Sequence, residues 1–505
     1  MRKTLILFVL ASAIGAAWLT TLVDDGLGLD WAQRAVRNWE QYGFFQLHGK
    51  MVCNPGGFEV DTRPDYYPGH RPASMYPVFF CYHLFAILGL DCGFVFYYAI
   101  IAAIVLLSIW WLLGRTERAF WLAAIAVITP GYLRWQTSLD PNLTTVMFGY
   151  PFCAAVIGLL GRPVLNWRQM ALLLGLVLVY SAINWTTVFV HAMLFATLLV
   201  LPRVPWRHLF LYAGMTAAMA GGVLVASVAS KLARGGASGP GLAQMFQGYG
   251  WGDAGYGVDL TTRTALLRLF TANLIGLLPV LVYLGWQWWL RRRRSPVGLL
   301  FLLPLLVPVV EVLGLRNYFG HHPWMSVNFF LLGIILAAVV WKDQAGAALA
   351  GGDTRLRLRV AGWAATFAYS FLVLATGHMH AGRELAFAAF VRENTPRDTT
   401  IVIRRDTDPE LAGLDHRLTD LFDRHLVVIP GVAETNLPDK LAKPVILTHA
   451  PGLPQKILAE TTLTDNTYPI LKIMLNWYVS HIAHRRVGDQ LEIREQEYFL
   501  YRPDN

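Results

Sequence analysis

The chain has 505 residues, of which 55% are hydrophobic and only 15% are charged, against about 25% charged residues in soluble globular proteins. With a mean hydropathy of +0.43, this composition excludes a disordered chain, a fibrous protein and an ordinary cytosolic enzyme. It predicts a polytopic α-helical membrane protein, because so much apolar surface needs lipid around it.

The net charge of +9 is unevenly distributed along the chain. Residues 381–505 hold 15 Lys and Arg against 18 Asp and Glu, a net charge of −3, which leaves +12 on residues 1–380. The basic excess therefore lies in the apolar part, where it indicates membrane topology. No basic run in a polar stretch is interleaved with aromatic residues, so the sequence predicts no nucleic-acid partner.

The apolar pattern predicts eleven membrane spans. The first, Thr4–Val23, follows Arg2 and Lys3, and its length of about 20 residues favours an uncleaved span over the alternative of a signal peptide. The other ten candidate spans are Gly93–Leu113, Phe120–Leu133, Leu143–Leu160, Ala171–Ile183, Thr187–Leu201, Phe210–Ser230, Leu266–Leu290, Val297–Leu315, Ser326–Trp341 and Val360–Gly377.

Charges in the loops orient these spans. With the N-terminus in the cytoplasm, the cytoplasmic loops hold most of the arginines, whereas the short outer loops hold few: Arg134, Arg316 and none at 184–186. This asymmetry is the one that the positive-inside rule requires. It predicts a membrane protein whose N-terminus is cytoplasmic and whose C-terminal region lies on the outer face.

Three outer segments are long. The first periplasmic loop, 24–92, contains an amphipathic stretch at Leu29–Tyr42 that predicts an interfacial helix. Pro72–Leu90 predicts a second interfacial helix, with a full span over Met75–Leu90 as the alternative. The second long loop, 231–265, is glycine-rich and is either a lid or a connector.

The third outer segment, 381–505, has the size and the charge of a small soluble α/β domain. The pattern shows no nucleophile elbow and no phosphate-binding glycine loop, so this domain is expected to cover a cavity or to bind an acceptor. Its predicted elements are the strands Thr400–Arg404, Leu426–Ile429, Pro444–Thr448 and Leu491–Arg494 and the helices Leu411–Arg424 and Pro469–Ala483.

The four cysteines lack the spacing of a metal site. Cys53 and Cys92 both fall in the predicted periplasmic loop, so a disulfide between them is one interpretation. Free apolar thiols are the favoured interpretation for all four, which include Cys81 and Cys153.

Adjacent carboxylates mark the end of the first span. Asp24 and Asp25 repel each other, and partial burial would raise the pKa of one of them. A carboxylate with a raised pKa suits a general base that takes a proton from a hydroxyl. The alternative is that the two aspartates simply end the helix in water.

The first loop resembles that of the GT-C membrane glycosyltransferases, in particular the group of dolichyl-phosphate-mannose protein mannosyltransferases and lipid A sugar transferases. The resemblance rests on Asp24-Asp25, Arg37-Asn38, Tyr42-Gly43 and the run from Tyr67 to Pro72. It covers the layout of residues 1–380. The usual His-Pro-Pro of the family is His70-Arg71-Pro72 here, and the usual Asp-Glu pair is Asp24-Asp25.

The resemblance implies an acidic residue that activates the acceptor and a sugar donor on a polyprenyl-phosphate carrier. It assigns the base to Asp25, with Asp24 next, and places Tyr67 and Asp140 in the acceptor cavity. Asp140 is equally explained as the N-cap of the helix that Pro141 begins. The acceptor is a lipid, a glycan or a protein.

A departing polyprenyl phosphate needs cations, which arginine supplies best. Arg316 is the main candidate, with Arg71 and His70 beside it on the outer face. Glu311 lies within a predicted span, where an acidic residue indicates function, although pairing with Arg316 is the alternative. His321 and His322 could contact phosphate; two histidines alone are weak support for a metal. Lys231, Arg234 and Arg263 are further outer cations.

The sequence thus predicts an inverting glycosyltransferase that uses an undecaprenyl-phosphate-linked sugar and acts on the periplasmic face. No cofactor is required, because phosphate is already a good leaving group, although some members of the family use a divalent metal. Three alternatives stay open: a transporter or flippase of lipid-linked glycan, a glycan polymerase or ligase, and a non-catalytic membrane scaffold.

Overall fold

The structure of the chain is a computed structural model, which describes part of the sequence. The described residues are 2–24, 31–57, 72–90, 92–136, 141–184, 186–234, 261–289, 323–345, 356–412, 418, 422–429, 443–449, 456–462 and 497–502.

The chain begins with helix α1 (Arg2–Asp24), as predicted for the first span. The two helices predicted in the first loop are also present, as α2 (Trp31–Tyr42) and α3 (Tyr76–Ile87), the latter preceded by a 3₁₀ turn at Pro72–Met75. At 1.5 Å per residue a helix as short as α3 reaches about 18 Å, well below the roughly 30 Å of a hydrocarbon core. Its length therefore favours the interfacial interpretation over a full span.

The remaining helices form a bundle around one apolar core. Apart from two predicted spans, they follow the predictions with small shifts at the helix ends. In chain order they are α4 (Gly93–Leu112), α5 (Glu117–Ala126), α6 (Pro130–Gln136), α7 (Pro141–Leu160), α8 (Trp167–Ile183), α9 (Thr187–Val200), α10 (Trp206–Arg234), α11 (Thr262–Trp289), α12 (Pro323–Ala345) and α13 (Leu356–Asn394).

Two predicted spans differ from the observed helices. The stretch Phe120–Leu133 is not one helix, because the chain breaks at 127–129 between α5 and α6. Pro130 begins α6, where its missing N–H costs nothing, and it could not continue α5. The last span continues well beyond Gly377, and the expected domain boundary at 380 falls inside α13. The span predicted at Val297–Leu315 lies outside the described residues.

The exposed faces of these helices are those of an integral membrane protein. Within the described ranges, four helices are long and apolar enough to cross a membrane: Gly93–Leu112, Thr262–Trp286, Ser326–Asp343 and Leu358–Ala375. Large apolar side chains such as Leu7, Val179 and Leu358 are about two-thirds exposed. Such a surface is stable only against lipid. The count of eleven spans stays a prediction.

The bundle has two chemically different ends. At what we call the loop end, α1 finishes and the first loop and the C-terminal sheet lie. At the opposite end, which we call the arginine end, ion pairs join the helix termini. Arg203 contacts Asp343 at 2.9 Å, and Arg359 pairs with Glu117. The arginine end is therefore the end on which the sequence places most of the loop arginines.

The C-terminal sheet follows α13, and the described residues contribute five strands to it, in the order β2-β1-β3-β5-β4. Strand β1 pairs in parallel with β2 and β3, whereas β5 is antiparallel to β3 and β4. A short helix, α14 (Pro409–Ala412), lies between β1 and β2. The strands are β1 (Thr400–Arg404), β2 (His425–Ile429), β3 (Pro444–Thr448), β4 (Lys456–Thr462) and β5 (Glu497–Arg502).

The last turns of α13 belong to the core of this sheet. Phe387 and Phe390 are buried with Phe422 and with inward-facing residues of β1 and β3. The helix therefore connects the bundle to the sheet as one continuous element that carries residues of both cores.

Three of the four predicted strands are confirmed, as β1, β2 and β3. The sequence pattern missed β4 and β5, while the predicted strand Leu491–Arg494 and helix Pro469–Ala483 lie outside the described residues. Of the predicted helix Leu411–Arg424, residues 413–417 and 419–421 are outside them too. The four cysteines are free thiols, as favoured above, so Cys53 and Cys92 form no disulfide.

Glycine allows α6, α11 and α12 to meet closely. A Cβ added at Gly131 would lie 2.5 Å from Val327 Cγ1 and 2.9 Å from the backbone of Gly276. Both distances are shorter than carbon atoms allow, so this contact requires glycine. Gly158, on α7, is the opposite case, because a Cβ added there meets nothing within 4 Å.

We expect Gly131→Ala to destabilise the bundle by about 1–3 kcal/mol, the usual cost of overpacking a core. The matched control, Gly158→Ala, should be neutral or stabilise by about 0.5–1 kcal/mol, because alanine favours a helix over glycine. Thermal unfolding in detergent measures both. Equal melting temperatures for the two variants would contradict the close contact.

Candidate active site

The structure describes the framework around the predicted site. Asp24 is the last residue of α1 and so lies at the loop end. Helices α7 and α12 also begin at that end, directly after Asp140 and His322 in the chain. The other predicted site residues lie outside the described residues: Asp25, Tyr67, His70, Arg71, Asp140, Glu311, Arg316, His321 and His322.

Helix α2 is anchored on α3 by aromatic packing. Trp39 is fully buried and donates a hydrogen bond from Nε1 to the Lys50 carbonyl at 2.7 Å. Its ring lies 5.3–5.9 Å from the rings of Phe44, Tyr76 and Phe79. Aromatic residues bury large areas in fixed geometries, so this cluster holds the C-terminal half of α2.

Polar side chains of α2 bind the segment that follows it. Asn38 donates from Nδ2 to the carbonyls of Val52 and Asn54 at 2.8 and 3.1 Å. Arg34 donates from Nη1 to the Cys53 carbonyl at 3.1 Å. These side chains are buried, and buried polar groups without partners are costly. The hydrogen bonds therefore fix the path of the first loop beneath α2.

Asp423 of the C-terminal region is the charged centre of the loop end. Its carboxylate is fully buried and contacts three guanidinium groups: Arg397 Nε at 2.9 Å, Arg34 Nε at 3.4 Å and Arg37 Nη1 at 3.6 Å. The backbone N–H of Gly56 also donates to Oδ1 at 3.2 Å. We call these five residues the Asp423 cluster. It joins the first loop to the C-terminal sheet.

Arg397 makes further contacts between the C-terminal region and the first loop. Besides Asp423, its guanidinium donates to Gln41 Oε1 at 2.8 Å and to Asn38 Oδ1 at 2.9 Å. Its backbone lies so close to Gly56 that a Cβ added there would be 2.4 Å from the Arg397 carbonyl oxygen. Gly56 also has φ +61°, a conformation that favours glycine.

The surrounding charges keep Asp423 ionised. Burial raises the pKa of its carboxyl, but the guanidinium of Arg397 and then those of Arg37 and Arg34 outweigh burial, so the net pKa lies below the usual value. The neighbouring Arg424 donates to the backbone carbonyls of Phe422, Asp423, Arg392 and Thr395. Burial lowers the pKa of Arg424 to about 10, so it stays charged at neutral pH.

Buried polar side chains also line the bundle toward the loop end. Asn273 of α11 donates from Nδ2 to Ser326 Oγ of α12 at 3.2 Å. Among the described residues, the amide of Asn328 and the hydroxyls of Tyr132 and Tyr150 have no hydrogen-bond partner, although all three are at most 2% exposed. Unsatisfied groups in an apolar core are costly, so they are candidates to bind a polar ligand.

The sequence pattern predicted neither the buried polar side chains of the bundle nor the Asp423 cluster. An asparagine inside an apolar span is a usable signal, since intramembrane polar residues mark functional sites, and Asn273 and Asn328 carry it. Asp423 has no such signal, because it lies 367 positions from Gly56, which it contacts. The described part of the chain holds no group of three or more potential metal ligands.

No protein-family model matches the chain, and no curated protein sequence matches it. Among solved structures, the chain is similar to ArnT from Cupriavidus metallidurans bound to undecaprenyl phosphate. The two share 13% sequence identity with a TM-score of 0.52, over 91% of this chain and 96% of ArnT.

A second similar structure is the archaeal oligosaccharyltransferase AglB from Archaeoglobus fulgidus in complex with an inhibitory peptide and a dolichol-phosphate. Here the TM-score is 0.44 and the identity 14%, over 85% of this chain and 65% of the archaeal protein. The chain therefore spans less than two-thirds of the length of that protein. The similarity to ArnT concerns the fold alone: the chain has the same fold as ArnT, in agreement with the fold that the resemblance implies.

Proposed function

We propose that this protein is an inverting glycosyltransferase that moves a sugar from a polyprenyl-phosphate carrier to a hydroxyl acceptor. The observation that carries the proposal is the similarity to undecaprenyl-phosphate-bound ArnT over almost the whole length of both chains. Apolar helices with lipid-facing surfaces support a donor that resides in the bilayer. The donor is then an undecaprenyl-phosphate sugar, and the acceptor a lipid, a glycan or a protein.

The proposed topology follows the charge asymmetry of the loops. The N-terminus is cytoplasmic, and the loop end faces the periplasm of a bacterial inner membrane. Residues 1–380 form the transferase domain, with the long loops 24–92 and 231–265, and residues 381–505 form the periplasmic α/β domain. The ion pairs of the arginine end support this orientation, since basic residues concentrate on the cytoplasmic side.

The chemistry starts with the acceptor. Asp25 takes the proton of the acceptor hydroxyl, and the oxygen attacks the anomeric carbon as the bond from that carbon to the phosphate oxygen breaks. Attack from the face opposite the phosphate inverts the configuration. In this proposal Asp24, Asp140, Tyr67 and Glu311 line the acceptor side. Asp24 ends α1 and Asp140 directly precedes α7 in the chain, and these two helix ends lie at the loop end.

The departing polyprenyl phosphate carries the negative charge that develops in the transition state. Arg316 and Arg71 stabilise it, because a guanidinium binds phosphate oxygens in pairs. His70, His321 and His322 add hydrogen bonds. The phosphate is a good leaving group without further activation, so the proposed reaction requires no cofactor and no metal.

Asp25→Asn should lower the rate of transfer by about 10²–10⁴-fold, the usual contribution of a general base. The matched control is Asp24→Asn, which keeps one carboxylate at the same end of α1. The assay is single-turnover release of undecaprenyl phosphate from a panel of undecaprenyl-phosphate sugars, with lipid A, glycan and peptide acceptors. Full activity of Asp25→Asn together with loss in Asp24→Asn would assign the base to Asp24, and full activity of both would overturn the assignment.

Arg316→Ala should weaken binding of undecaprenyl phosphate by about 10–100-fold, since a charge-assisted hydrogen bond contributes roughly 1.5–3 kcal/mol. Arg168→Ala is the control, because Arg168 is an exposed arginine at the arginine end. Binding of fluorescent undecaprenyl phosphate to the protein in nanodiscs measures both. Equal weakening in the two variants would indicate a nonspecific charge effect and contradict the assignment.

A further inference from the structure

The Asp423 cluster holds the half of α2 that lies nearest to the proposed base along the chain. Arg34 and Arg37 lie in the first two turns of α2, whereas Trp39 and its aromatic partners anchor the second half. Six residues, 25–30, connect α1 to α2, and Asp25 is the first of them. Because α1 is packed in the bundle against α4 and α13, the position of α2 sets the other end of this connection.

We propose that Asp423 is a positioning residue: through Arg34 and Arg37 it holds the start of α2, and thereby the segment that carries Asp25. The C-terminal region thus acts on the reaction without touching the substrate. This inference rests on the role proposed for Asp25, but its first consequence, the restraint on α2, is independent of any activity.

Electrostatics explains why a carboxylate is required at this position. Three guanidinium groups converge on one buried carboxylate, two from α2 and Arg397 from the C-terminal region. With the carboxylate neutralised, these like charges repel one another in a poorly screened interior. The repulsion acts between α2 and Arg397, so loss of the charge separates the first loop from the sheet.

Gly56 provides a second contact between the first loop and the C-terminal region. Gly56 donates to Asp423, and its Cα faces the Arg397 carbonyl without room for a Cβ. Gly56→Ala therefore forces the loop away from the C-terminal region without removing any charged group. The two variants open one junction by different physical means, so they test one proposal.

The experiment compares Asp423→Asn, Gly56→Ala and a control in the full-length protein in nanodiscs. The control is Asp408→Asn, because Asp408 is another fully buried carboxylate of the C-terminal region. It accepts from the His449 backbone N–H at 3.0 Å and pairs with the His449 ring. Hydrogen exchange is followed in peptides covering 31–42 and 21–30, and single-turnover transfer is measured over a range of donor concentrations.

We expect exchange in both peptides to rise by about 100-fold in Asp423→Asn, since breaking a buried ion pair uncovers unpaired charge. The maximal transfer rate should fall by about 100-fold, as for a base displaced by roughly 1 Å, with the donor concentration at half-maximal rate unchanged. Gly56→Ala should change both quantities in the same direction. Asp408→Asn should leave the exchange of both peptides and the transfer rate at the wild-type values.

Three results would overturn the inference. Unchanged exchange in 31–42 would show that Asp423 does not restrain α2, and faster exchange with an unchanged transfer rate would show that the restraint does not position the base. An equal effect of Asp408→Asn would reduce the role to general stability of the sheet. If Asp423→Asn does not fold, the hydrogen exchange and transfer rate of Gly56→Ala decide whether the inference holds. If the wild type transfers no sugar, the proposed function fails, and exchange in 21–30 alone decides whether Asp423 positions that segment.

Discussion

A single buried carboxylate connects the first loop to the C-terminal region, although 367 positions separate Gly56 from Asp423, which it contacts. Asp423 is fully buried, and its charge is tolerated only because three guanidinium groups and a backbone N–H surround it. Two of those guanidiniums belong to α2, so the position of the first loop depends on a residue of the C-terminal sheet. The continuous helix α13 completes the connection, since it carries residues of the bundle core and of the sheet core.

The bundle itself is held by different forces. Its outward faces are apolar and need lipid, while its inner contacts depend on close approach at small residues such as Gly131 and Gly276. In this apolar core, the buried side-chain polar atoms of Tyr132 and Asn328 have no hydrogen-bond partner, which is energetically costly. Their helices, α6 and α12, converge with α1 and α7 on the end of the bundle where the proposed chemistry takes place.

Much of this architecture is predictable because membrane helices obey simple rules. Hydropathy located the described helices of the bundle except for the division between α5 and α6, and arginine asymmetry distinguished its two ends. The failures have local causes. Pro130 divides a span whose composition looks continuous, and α13 passes beyond its apolar stretch because its last turns are buried in the sheet rather than in lipid. Strands β4 and β5 were missed because their burial depends on neighbouring strands distant in sequence.

The sequence by itself determined the class of protein, its helices, its charged ends and the acidic pair that closes the first span, since each depends on residues near one another in the chain. It also carried the resemblance to the GT-C fold, through the short motifs of the first loop. Only the tertiary structure decided what holds that loop. Arg37 belongs to a motif that carries the resemblance, but no spacing in the sequence pairs Arg34 or Arg37 with Asp423, which is one of 33 acidic residues. Their meeting depends on folding, because burial and contact distance, rather than spacing, decide which charges pair.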